Sequence, residues 1–290
     1  VKVRDIFEKA HSKYQIPVII YERTRLRDIH LVFSIYNKQG KKLNAEELRN
    51  ATYHHLGLTK LLLLLSGDRP DVEELARYLP TDFRPRIAEV GKTLLDRGFG
   101  TLRFKRTKVL SWACAIFLHA PNKSASGVFV TPSTASHIDA LLIELSDNPG
   151  LLTLPQTLTT LASDIYKAVL LHSDANNAWS PKFRSKRGVA SRWEELPLVG
   201  SLIASLVLAA TDQGDRLFDA IEEVRGVTER RIGPEKTQNK TQWEYIAQSC
   251  LDILKATGID LDAAEVVLQK RYGYSCIATL RSIAAAATQK

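Results

Sequence analysis

Nothing in this sequence is long and apolar enough to cross a bilayer. Its longest apolar stretches, residues 61–65 and 199–210, fall well short of the roughly 20 residues a spanning helix needs, and Ser201 and Ser205 interrupt the second. The N-terminus lacks the charged, then apolar, then small-residue order of an export signal, so a cytoplasmic location is expected. Cysteine is scarce: Cys114, Cys250 and Cys276 cannot all pair, share no metal-ligand spacing, and each sit in an apolar helical context. They read as reduced core residues. Methionine is absent altogether, an unusual composition, and the chain opens on Val1, as expected of a sequence that starts inside a longer reading frame or after processing.

The common reaction-carrying patterns are missing too. Val90-Gly91-Lys92-Thr93 has the end of a phosphate-binding loop, but the glycine required earlier falls on Arg86, so these residues read as a helix turn. None of the seven histidines forms an i,i+4 metal-ligand pair, and there is no HExxH, GxSxG, CxxC or GxGxxG pattern, nor a histidine–asparagine–histidine nuclease pattern. The residues alone nominate no catalytic group, no metal ligand and no cofactor.

What is present is an ordinary globular composition, 44% apolar and 25% charged, in a chain of 290 residues that is long enough to bury a core unaided. Apolar residues recur at helical spacing through 110–118, 137–145, 158–171, 198–210, 217–224 and 243–257, and residues 277–287 form an alanine-rich helix. Prolines punctuate these stretches at helix-sized intervals. Alternation at period two is nearly absent. The exception is Ile16-Pro17-Val18-Ile19-Ile20-Tyr21, a strand candidate. The expected fold is therefore all-α, an array of roughly a dozen helices with at most one or two short strands near the N-terminus. Capping boxes are expected at Asn44 with Glu47, Asp71 with Glu74, and Asp262 with Glu265. Residues 1–120 and 121–290 suggest two helical regions, or one continuous domain. Residues 122–136 and 174–192 have linker composition, and the second reads as an exposed excursion within a basic loop at 174–197.

Forty basic residues against 32 acidic ones give a net charge of +8, an excess that favours polyanions. Two clusters stand out. Arg103-Phe104-Lys105-Arg106 closes a basic span from 84 to 108, while Lys182, Arg184, Lys186, Arg187 and Arg192 surround Phe183 and Trp193 with no acid between 182 and 192. Either cluster could touch successive phosphates, and either could be a solvated loop. A third, smaller cluster is Arg230-Arg231 with Lys236 and Lys240.

One segment is more specific than composition. Residues 32–51 carry Val32-Phe33-Ser34-Ile35-Tyr36-Asn37, then Gly40, Leu43, and Glu47-Leu48-Arg49-Asn50-Ala51. By the residues themselves, Gly40 permits a sharp turn between helices and Leu43 plugs it into the core. Arg49 and Asn50 could reach Asn37 or the turn carbonyls. The run resembles a signature of the GmrSD-type restriction endonuclease N-terminal domain, the DUF262 family, found in bacterial phage-defence proteins that restrict modified DNA. The resemblance covers about residues 14–65. It implies contact with nucleotide or DNA, NTP-dependent endonuclease activity, and nucleotide and magnesium as cofactors. These depend on Gln-Arg and Asp-Gly-Gln-Gln-Arg motifs that this chain lacks, so they are expected only where a catalytic part lies elsewhere. The resulting expectation is the helical portion of a restriction or phage-defence protein, contacting DNA through Lys182, Arg184, Lys186, Arg187 and Arg192, with Arg103, Lys105 and Arg106 second. The rival expectation is a non-enzymatic helical module that docks a partner protein.

Overall fold

Residues 199–210 form one of the most apolar stretches of the chain, and a helix that is apolar on every side must be surrounded. In a computed structural model of the chain, which describes residues 44–68, 79, 84, 87–100, 104–148, 155–184, 192–231, 233–234 and 237–288, it is. The described residues contain twelve α-helices: α1 (Ala45–Thr52), α2 (Gly57–Leu65), α3 (Ile87–Asp96), α4 (Lys105–Leu118), α5 (Thr134–Asp147), α6 (Pro155–Asp174), α7 (Glu195–Ala210), α8 (Asp215–Asp219), α9 (Ile221–Arg230), α10 (Asn239–Ala256), α11 (Leu261–Tyr272) and α12 (Cys276–Thr288). Two short 3₁₀ turns, Asn176–Ala178 and Pro181–Phe183, lie between α6 and α7. The fold is all-α, and no strand occurs among the described residues, where only two isolated β-bridges are found. The strand expected at residues 16–21 and the cap expected at Asp71 lie outside the described residues.

Every residue of α7 from Pro197 to Ala210 is buried. α6 and α10 flank it most extensively, with α4 and α11 closing other sides. The approach of α10 is set by a small residue: a Cβ on Gly200 would lie 3.2 Å from the Ser249 Cβ. The core passes from Leu56 to Ile283 without a break near residue 120. Residues 122–136, read as a linker, are tied in. The Ser124 amide donates to the Val128 carbonyl within the segment, and the Trp243 indole donates to the Pro132 carbonyl at 2.9 Å. The cysteines are free and buried, and burial pushes the Cys114 and Cys276 thiols up to about 12.

Local sequence explains several element ends. The Asn44 side chain accepts from the Glu46 and Glu47 amides while the Glu47 carboxylate accepts from the Asn44 amide, a complete capping box at the start of α1. The box expected at Asp262 is displaced. Asp260 caps α11 instead, accepting from the Asp262 and Ala263 amides, while the Asp262 carboxylate pairs with Arg281 at 2.6 Å. The start of α4 is capped from a distance: Asp68, just past α2, accepts from the Thr107 amide and hydroxyl and binds the Arg106 guanidinium.

The Gly91-Lys92-Thr93 sequence lies inside α3 and forms no loop. Its glycine lets α3 touch the end of α2, because a Cβ there would lie 2.5 Å from the Ser66 carbonyl oxygen. Gly91→Ala therefore drives a methyl group into backbone that cannot rotate away. A loss of about 2 kcal/mol in denaturant-unfolding stability is expected.

His137 is buried beside Trp243, ring centroids 4.8 Å apart, and burial and the neighbouring His119 push its pKa down to about 4. The unfolded chain takes up this proton near pH 6.5 and the folded chain only near 4. Its contribution is thus complete above pH 6.5 and is lost as pH falls through that window, to the extent of about 3 kcal/mol. Unfolding titrations from pH 7 to 4 should show a steeper decline for the native chain than for His137→Phe.

Candidate functional site

Where it is described, at residues 175–184 and 192–194, the polar stretch between α6 and α7 is anchored by buried aromatic side chains, while residues 185–191 of the expected excursion lie outside the described residues. Trp179, Ser180, Phe183 and Trp193 are all buried. His172, near the end of α6, stacks on Trp179 with centroids 4.5 Å apart and packs against Trp193 at 4.9 Å. The Ser201 hydroxyl donates to the Pro197 carbonyl at 2.7 Å, so it accepts from His172 Nε2–H at 2.9 Å. Burial, then the Arg97 charge, holds the imidazole well below its usual range, and the ring is neutral. Arg97 closes the cluster. Its guanidinium lies 4.6 Å from the Trp193 ring centre and donates to Asn176 Oδ1 at 2.7 Å and to the His172 carbonyl at 3.2 Å. Phe183 and Trp193 belong to this core cluster, so neither offers a free ring face for a base.

The anchored stretch sets where its charges emerge. Lys182 is exposed and its ammonium donates to the Glu229 carbonyl at 2.9 Å. Arg184 is half-buried and donates to Asn176 Oδ1 at 3.3 Å. Arg192 is exposed, with its guanidinium 5.7 Å from the Phe99 ring centre. Gly98, at φ +89°, makes room for it, since a Cβ there would lie 2.7 Å from the Arg192 Cγ. Lys186 and Arg187 lie outside the described residues.

The other cluster divides in two. Lys105 is exposed, whereas Arg106 is 6% exposed and committed to Asp68, at 2.8 and 3.1 Å, and to the Gly67 carbonyl at 3.0 Å. Arg106 was expected to contact phosphate. Its place in the fold is instead that of a strut between the end of α2 and the start of α4. Arg103 lies outside the described residues.

The signature residues are also structural where they are described. Arg49 donates to Asp139 at 2.7 Å, to Glu46 at 2.5 Å and to the Ala135 carbonyl, fastening α1 to α5. Leu48 is half-buried and Asn50 buried. Asn37, Gly40 and Leu43 lie outside the described residues.

Two cavities meet at the start of α7. The larger, about 650 Å³, lies between α4, α7 and α10 and includes Lys108, Trp112, Lys182, Glu194, Glu195 and Tyr245 in its wall. The smaller, about 270 Å³, is bordered by Phe99, Lys105, Lys108, Arg192 and Glu195. Lys108 and Glu195 form an ion pair at 2.5 Å and belong to both walls, so Lys105, Arg192 and Lys182 are brought around one helix start. Burial pushes the Tyr245 hydroxyl up to about 12, leaving it a neutral hydrogen-bonding group at neutral pH. Sequence reasoning missed the larger cavity, whose wall comes from three helices far apart in the chain and leaves no local pattern. No group of three or more potential metal ligands occurs among the described residues, and no helix among them is long and apolar enough to cross a membrane.

The strut and the rim differ in what their loss should do. Arg106→Ala leaves the Asp68 carboxylate, 1% exposed, buried without its charge partner, and should cost on the order of 3 kcal/mol. Lys105→Ala should change stability by less than about 0.5 kcal/mol. Denaturant midpoints of the two variants check both values.

No protein-family model, curated protein or solved structure matches the chain.

Proposed function

We propose that the chain is the DNA-binding helical portion of a restriction or phage-defence type protein, acting with a catalytic part supplied elsewhere. The observation that carries the DNA-binding reading is the convergence of Lys105, Arg192 and Lys182, from two clusters far apart in sequence, around the start of α7. The net charge of +8 supplies the long-range attraction. The restriction reading is supported by the resemblance carried by residues 32–51. A protein-docking module would be favoured by one broad exposed apolar surface. The large exposed apolar side chains among the described residues are instead spread over separate elements: Leu95 on α3, Val128 and Val130 in the loop before α5, Ile143 on α5, Phe218 on α8, and Val266 and Val267 on α11.

Binding to labelled double-stranded DNA across a salt series tests the reading. Affinity should fall steeply with salt. Replacing Lys105, Lys182 and Arg192 together by alanine should flatten the log–log slope by about 3 units, one for each phosphate contact. Absence of binding at about 50 mM salt, or a slope unchanged in the triple variant, would exclude this face as the DNA contact.

A further inference from the structure

The larger cavity at the start of α7 has a charge pattern of which DNA contact at Lys182 uses only the positive half. Most of its ionised groups are already matched. Lys108 pairs with Glu195 at 2.5 Å, and Arg231 is held by Asp252 and by Gln248, the latter at 2.7 Å. Two groups of opposite sign are left without a counter-ion among the described residues. Lys182 donates a hydrogen bond to a neutral carbonyl, that of Glu229, and the Glu194 carboxylate takes part in no ion pair or hydrogen bond with another described residue. Both face the same cavity, yet they do not pair with each other. Around them the wall is apolar at Trp112, Leu196, Pro197 and Pro234.

A separated cation and anion beside an apolar wall complement a ligand that carries both charges and an apolar group. A dianion such as a phosphate ester fits less well, because it would leave the Glu194 carboxylate in the wall without a partner and facing a like charge. The volume of about 650 Å³ lies within the range of small-molecule sites and exceeds what a single small ion would fill. We propose that this cavity binds a zwitterionic small molecule of the amino-acid or dipeptide class, with its carboxylate at Lys182, its ammonium at Glu194 and its apolar side chain against Trp112 and Leu196. Lys182 is shared with the DNA reading, whereas the cavity and Glu194 are not, and it is on these that the assignment rests.

Calorimetric titration of the full chain with L-leucyl-L-phenylalanine, its N-acetyl derivative, its C-terminal amide and inorganic phosphate tests it. The free dipeptide should bind, and blocking either end should weaken it about tenfold, the worth of one charge-assisted hydrogen bond. Glu194→Gln should erase the preference over the N-acetyl form, and Lys182→Gln the preference over the amide. Both side chains are exposed, so both variants should melt like the native chain. Equal binding of free and blocked dipeptides, no binding of the dipeptide up to about 10 mM, or tighter binding of phosphate would each overturn the assignment. Glu194→Gln removes a negative charge and should leave DNA affinity undiminished, so failure here and failure of DNA binding are read separately.

Discussion

The burial demand of α7 organises the molecule. A helix without a polar stripe has no surface it can leave in water, so neighbours must close on it from every direction. α6 and α10 supply the long flanks, with Gly200 letting α10 come close, and α4 and α11 complete the enclosure. The end of such a helix is nevertheless where the chain must leave the core, and its first amides and acidic residues come to the surface together. That is why Glu194 and Glu195 lie in the wall of the main cavity, and why the stretch leading into α7 is bolted down by Trp179, Phe183 and Trp193.

Among the described residues, buried carboxylates are held by guanidinium groups. Asp164, fully buried, receives two hydrogen bonds from Arg271 and one from the Tyr272 hydroxyl. Arg49 is shared between Glu46 and Asp139, and Arg106 is matched by Asp68. Each of these arrangements joins two helices that apolar contact alone would leave free to slide, and each would be costly to break on one side only. The +8 net charge is thus unevenly expressed: Arg49, Arg97 and Arg106 are buried and structural, while Lys105, Lys182 and Arg192 are among the cations left at the surface.

Helix content was legible because apolar spacing is a local property. So was the box of Asn44 and Glu47, and so was the ordinary helical nature of Gly91-Lys92-Thr93 despite its look of a nucleotide loop. What escaped was everything decided by a distant partner. Nothing local distinguishes Lys105, open to water, from Arg106, taken by a carboxylate at the end of another helix. Asp260 and Asp262 are both suitable caps by type; Asp260 takes the role at the last extended residue, and Asp262, already inside the helix, pairs with Arg281. The stretch before α7 has linker composition, yet its few large aromatic residues outweigh its polar ones. The cavity drew its wall from α4, α7 and α10, and no spacing in the sequence announces that.

The contact of α3 with the end of α2 bears on how such a chain can vary. Ser66 and Gly91 meet closely, and Asp68 is fastened to Arg106, so the end of α2 is seated at once on α3 and on the start of α4. A seam of this kind leaves no room for the smallest side chain, since the neighbour is backbone and has no rotamer to change. Lineages that keep the seam are held to glycine at 91, however freely the exposed faces of the same helices drift.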